Sequence, residues 1–175
     1  MLKEARITFA ALLIAVVVLG AGFFSGVAQA GALTDYAENK ILDAVIRGQT
    51  LGAPATAYVG LATDTCTDAG TGTEPVGNAY ARVAVTSSLA NWAGTQSAGS
   101  TAASSGTGGT TSNNGAITWT ASSGAWGTLQ SVRWYDAASA GNSWICINLN
   151  STLAVSGAGF TVQFAAGQLT FQIDN

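Results

Sequence analysis

The sequence predicts a mainly β domain, a β-sandwich or jelly-roll-like fold with one N-terminal amphipathic helix. Three observations lead there. Short alternating apolar segments recur from Ile117 to Ile173. Gly-rich polar turns separate them. Only Leu33–Arg47 spaces its apolar residues as a helix does. Many short strands around one helix fit a two-layer β architecture.

The helix has its signals in order. Thr34 or Asp35 can cap it, and Glu38 stands three residues after Asp35. Ala37, Ile41, Leu42, Val45 and Ile46 form an apolar stripe, while Glu38, Lys40 and Asp43 face outward. Gly48 supplies a C-terminal stop. The stripe is expected to pack on one face of the sheet, with an interface helix as the alternative.

Ala53-Pro54 then turns the chain into a strand, Thr56–Ala62, with period-two alternation. A polar Gly/Thr loop, Thr63–Gly77, leads to a second alternating strand, Tyr80–Thr86. Ala93–Asn114 is rich in Ser, Thr and Gly and has no large apolar residue. Such a segment buries too little surface to offset its ordering entropy, so it reads as a flexible loop. Further strands are expected at Ile117–Thr120, Leu129–Tyr135, Trp144–Leu149, Phe160–Phe164 and Leu169–Ile173, with a short one at Thr152–Val155. Ala165–Gln168 is expected to join the last two of the five as a hairpin.

Residues 1–30 read as a separate unit. Lys3 and Arg6 precede an uncharged apolar run, and Ala28-Gln29-Ala30 is a small-x-small cleavage pattern before Gly31. That is the layout of a secretory signal peptide. The uncharged stretch Ile7–Val27 also approaches the ~20 residues that span a bilayer, so a retained membrane anchor is the alternative. Residues 31–175 form a single β-rich domain in this reading.

Only 9% of the residues are charged, against ~25% in ordinary soluble domains. Such a surface repels neighbours weakly and suits packing against other subunits. The net charge is −3. Setting aside Lys3, Arg6 and Glu4 leaves four basic against eight acidic residues, a net −4. Lys40, Arg47, Arg82 and Arg133 are scattered, which argues against nucleic acid as a partner.

Chemistry has little to work with. The chain has no histidine, which excludes Ser-His-Asp and Cys-His catalysis and histidine-bound zinc. Two cysteines cannot supply four thiolates. Gly70-x-Gly72 and Gly106-x-Gly108 lie in polar loops without a nucleotide-binding context. Asp64, Asp68, Glu74 and Asp136 could act as paired carboxylates only if the fold brought two of them ~5–10 Å apart. The same loop lacks the regular spacing of a calcium motif. The residues therefore predict no catalytic site, no cofactor and no metal.

Two sets of residues are candidates for other roles. Cys66 and Cys146 form a disulfide if the chain is exported, and stay reduced if it is assembled in a cytoplasm. Trp92, Trp119, Trp126, Trp134 and Trp144 serve either as core and subunit-interface anchors or, if exposed in a row, as a stacking platform for a surface glycan.

Several blocks recur in order in a known family. They are LTDYAENKILD (Leu33–Asp43), AP-x-T-x-YVGL (Ala53–Leu61), DAGTGTE (Asp68–Glu74) and Tyr80-x-Arg82. Asn114–Ile117, Trp126–Thr128, Tyr135–Ala138 with Gly141-Asn142, and Ala165–Thr170 complete the set. In these blocks the chain resembles small tailed-bacteriophage virion structural proteins of the tail fibre or decoration type. The resemblance covers nearly all of 32–175 and departs in the leader and in the long 93–114 loop. It implies a non-enzymatic subunit of a phage particle that forms homo-oligomers or docks on other virion proteins. An exported cell-surface or appendage subunit, or a glycan-binding module on the same fold, is the alternative. The matching locations are the virion, or the secreted or cell-surface space reached through residues 1–30. A membrane is a partner only through those residues, if they are uncleaved.

Overall fold

A computed structural model describes residues 32–120 and 122–173. The apolar segment read as a signal peptide or anchor lies outside the described residues. Among those residues no helix is long and apolar enough to cross a membrane.

The chain begins with a two-residue strand, β1 (Ala32–Leu33), and one helix, α1 (Asp35–Val45). Strands β2 (Thr56–Ala62), β3 (Val83–Thr86), β4 (Thr110–Ser112) and β5 (Ile117–Trp119) follow. The long strands β6 (Gly127–Tyr135) and β7 (Ser143–Val155) come next, then β8 (Val162–Phe164) and β9 (Thr170–Gln172). The mainly β fold class is as the sequence predicts.

One five-stranded antiparallel sheet, in the order β1-β7-β6-β2-β3, carries the fold. Two short antiparallel ladders, β4–β9 and β5–β8, supply apolar side chains against it, giving a sandwich-like core. Register decides which side chains enter. Val59 pairs with Trp134, and Leu61 with Val132. Trp134 pairs with Ile145, and Val132 with Ile147. Strand side chains alternate between faces, so these share one face. They meet Ile117, Trp119, Val162, Phe164 and Phe171 from the short ladders, and Leu169 from the turn before β9.

Four elements differ from the sequence expectation. Strand β3 starts at Val83 rather than Tyr80, because Gly77, Asn78 and Ala79 all adopt positive φ just before it. The Thr152–Val155 strand is the end of β7. A register shift between Leu129 and Ser131 lets β7 run 13 residues beside β6. The expected β8–β9 hairpin does not form. Gln168 N–H donates to the Ala165 carbonyl in a tight turn, but β8 pairs with β5 and β9 with β4. The Ser/Thr/Gly loop ends earlier than expected, because Thr110–Ser112 is β4 and Asn113 is buried.

Asn113 shows why that end is ordered. Its amide Nδ2 donates to the Gly115 and Ala165 carbonyls, both at 2.8 Å, and its Oδ1 accepts from Leu169 N–H at 2.8 Å. Its backbone N–H donates to Leu169 and its carbonyl accepts from Gly167. One side chain therefore ties the loop exit to the β8–β9 turn.

Candidate functional site

The face of the large sheet opposite the core is covered by the Thr63–Gly77 loop. Gly60 pairs with Arg133, Ala62 with Ser131 and Tyr58 with Tyr135, so Arg133 and Tyr135 point away from the core. Arg133 is nonetheless fully buried. Its Nη1 donates to the Gly70 carbonyl at 2.8 Å and its Nη2 to the Thr65 carbonyl at 3.2 Å. Asp64 lies 3.7 Å from Nη2. Gly72, at φ +80°, passes so close to Arg133 that any Cβ there would collide with the guanidinium. Cys66 is bonded to Cys146, with Cα atoms 5.6 Å apart. Since Cys146 pairs with Arg133 on β6, the disulfide fastens the same loop to the same face.

A second cluster closes the loop. Glu74 accepts from Arg82 Nη2 at 2.6 Å and from Nε at 2.9 Å on one oxygen. Its other oxygen accepts from Tyr80 Oη at 2.6 Å. Tyr80 Oη also accepts from Leu61 N–H at 2.8 Å. Arg82 stacks on the Tyr135 ring and donates from Nη1 to the Ala137 and Ala140 carbonyls. Burial, then the bond to Glu74 and its charge, push the Tyr80 phenol far above its ordinary value. Burial and the Glu74 charge do the same to Tyr135. Gly60 leaves the room this cluster needs, because a Cβ there would sit 2.6 Å from Glu74 Oε1.

Three of the four candidate carboxylates have structural partners. Glu74 belongs to Arg82, and Asp64 accepts from Thr73 N–H at 2.9 Å. Asp136 accepts from the backbone and side chain of Asn142 at 2.7 and 2.9 Å. Partial burial raises the Asp136 pKa, and hydrogen bonds from Asn142, Trp144 and its own backbone together outweigh it, so the group ends below its usual value. Among the described residues no three metal-ligating side chains gather.

The five tryptophans do not form an exposed row. Trp119, Trp126 and Trp134 are buried, and Trp92 and Trp144 are half-buried. Trp126 donates its indole N–H to the Asn78 carbonyl and meets Tyr80 edge-on at 5.6 Å. Trp92, Trp134 and Trp144 line an open apolar groove of about 220 Å³ at one end of the sandwich, with Pro54, Ser87, Ile145 and Phe171. Trp92 and Trp134 lie 5.6 Å apart.

Helix α1 adjoins that end. Thr34 caps it, accepting from Ala37 N–H while its own hydroxyl donates to the Ser143 carbonyl at 2.5 Å. Tyr36 meets Trp144 edge-on at 5.4 Å. Ala37 is the only fully buried helix residue. The apolar stripe expected to pack on the sheet does so only in part, with Ala37 buried and Ile41 half-buried. Leu42, Val45 and Ile46 are 57%, 73% and 75% exposed. The helical period is a true signal of structure, but the Leu42-Val45-Ile46 side of the helix end faces away from the body.

Sequence reasoning missed the Glu74–Arg82–Tyr80–Tyr135 cluster as a unit. The signal lay in the blocks behind the phage resemblance. Gly70, Gly72, Glu74, Tyr80, Arg82, Asp136 and Asn142 all fall in the bonded network described above. Curated proteins give no match to this chain. The family described as podophage GP4 fiber I protein gp80 matches residues 32–172, nearly the whole described domain. With its loop clasp and its sandwich-like core, this chain belongs to the podophage GP4 fiber I protein gp80 family, and it is a structural component of a phage virion.

Proposed function

We propose that the chain is a non-enzymatic fibre subunit that self-associates and docks on other virion proteins through apolar, weakly charged faces. The observation that carries this reading is the exposed stripe Leu42-Val45-Ile46 at the C-terminal end of a helix whose Ala37, Ile41 and Ala44 side is covered. Exposed aliphatic groups clustered on one element mark interaction surfaces in proteins that work in assemblies. The low charge of the chain lowers the repulsion between copies. Burial of Trp119, Trp126 and Trp134 supports a building block over a glycan platform. The groove offers aromatic surface with few polar groups, which suits an apolar side chain better than a sugar.

The test is sedimentation of the purified full chain over a wide concentration range, together with mass spectrometry of phage particles. Self-association and presence in particles support the reading. A monomer at every concentration that is absent from particles refutes it.

The disulfide favours one second reading, that the chain passes through or works in an oxidising space. Together with the leader pattern, this supports export to a cell surface. Intact mass of the native protein separates the two, since export with cleavage leaves Gly31 as the first residue.

A further inference from the structure

We propose that Cys66–Cys146 is a lock closed after folding. The domain reaches its fold with both thiols reduced, and the bond forms later, when the chain meets an oxidising medium. The inference rests on the fibre-subunit reading above. It lets a virion protein be assembled in a reducing cytoplasm and still carry a disulfide outside it.

The fold brings the two cysteines together without help from the bond. Hydrogen bonds hold the Thr63–Gly77 loop on both sides of Cys66. Ser131 Oγ donates to the Asp64 carbonyl at 2.7 Å, and Arg133 Nη2 to the Thr65 carbonyl at 3.2 Å. Beyond Cys66, Arg133 Nη1 donates to the Gly70 carbonyl at 2.8 Å and Tyr135 Oη to the Thr71 carbonyl at 2.6 Å. Cys66 itself donates its backbone N–H to Asn148 Oδ1 at 2.8 Å. Asn148 stands two residues after Cys146 on β7, so both side chains leave the same face of the strand. The backbone of Cys66 is thus moored to the strand that carries its partner. The core is independent of the bond as well, because the apolar cluster between the layers contains neither cysteine.

Access orders the chemistry. Cys146 is buried and Cys66 is half-buried, so an external oxidant reaches Cys66 first. The Cys66 thiolate attacks a small-molecule disulfide, forms a mixed disulfide and releases one thiolate. The Cys146 thiolate then attacks Cys66 Sγ and expels the second. Two protein thiols are oxidised, one oxidant disulfide is reduced to two thiols, and the two protons pass to the released thiolates. Folding and closure are linked, since a bond that stabilises the fold is favoured by the fold to the same extent.

The experiment purifies the full chain under reducing conditions and compares it with the double variant Cys66→Ala, Cys146→Ala. Both are expected to unfold cooperatively in urea, at a lower midpoint than the oxidised chain. In mixtures of reduced and oxidised glutathione, closure is expected to be favoured about a thousand-fold more in the folded chain than in urea. N-ethylmaleimide then traps free thiols in infected cells before lysis and in released particles, and intact mass counts the labels. Two labels are expected before release and none after, one for each of the two cysteines. Loss of the cooperative transition in both the reduced chain and the double variant would make the bond a condition of folding and overturn the proposal. A bond already closed before lysis, or thiols still free in particles, would overturn it too. Each of these leaves the fibre-subunit reading intact, whereas a chain absent from particles would defeat both.

Discussion

The Arg82 guanidinium lies 3.4 Å from the centroid of the Tyr135 ring while two of its nitrogens hold Glu74. Stacking and a forked ion pair are both geometries that arginine provides and lysine does not. Arg82→Lys is therefore expected to be nearly as damaging as Arg82→Met. Glu74→Ala removes one partner of a pair that is largely out of water, with side chains 6% and 22% exposed. Breaking such a pair costs about 3 kcal/mol. Urea unfolding of the three variants measures this.

Tyr80 and Tyr135 predict loss of stability at high pH. Both phenols are raised in the folded state, so the folded protein holds its protons where the unfolded chain releases them. Their contribution is complete below the unfolded value of about 10 and is lost as pH rises above it. The urea midpoint should fall steadily above about pH 10. Phenylalanine at both positions should flatten that slope, although it also removes hydrogen bonds and lowers the starting stability.

Reduction of Cys66–Cys146 should destabilise the fold without changing its core packing. The bond closes a span of 80 residues. The chain-entropy account gives about 4 kcal/mol for a loop of this order. Hydrogen exchange after reduction should rise first in Thr63–Gly77, the loop that the bond fastens.

Asn113→Ala should weaken the fold despite lying at the end of a Ser/Thr/Gly stretch. It strands Leu169 N–H and two carbonyl partners. A buried donor left alone costs about 1–3 kcal/mol. Excising residues 101–107, by contrast, removes only exposed residues with exposed hydrogen bonds and should shift the thermal midpoint little. Calorimetry on both variants checks the pair.

Local signals are legible in the sequence. Thr34 caps α1, and β2 spans Thr56–Ala62 as its alternation requires. Choices made over long distances were not legible. The Ala165–Gln168 turn forms, but whether its flanking strands pair with each other depends on β4 and β5, some 50 residues away. The Tyr80-x-Arg82 pattern alternates like a strand, yet its side chains serve Glu74 and the Ala137–Ala140 turn. For α1, periodicity identifies an apolar face and is silent about what covers it. The tryptophans carry no local mark of burial, since their environment is assembled from both layers.

The covalent link between Cys66 and Cys146 spans most of the chain's turns, including the exposed residues between Thr95 and Gly109. A protease that nicks this tip cuts a ring rather than a line. The two pieces stay joined through sulfur as well as through the sheet, so a nicked subunit keeps both its helix and its groove. Damage at the most accessible part of the surface would then be visible on a reducing gel and silent in the assembled particle.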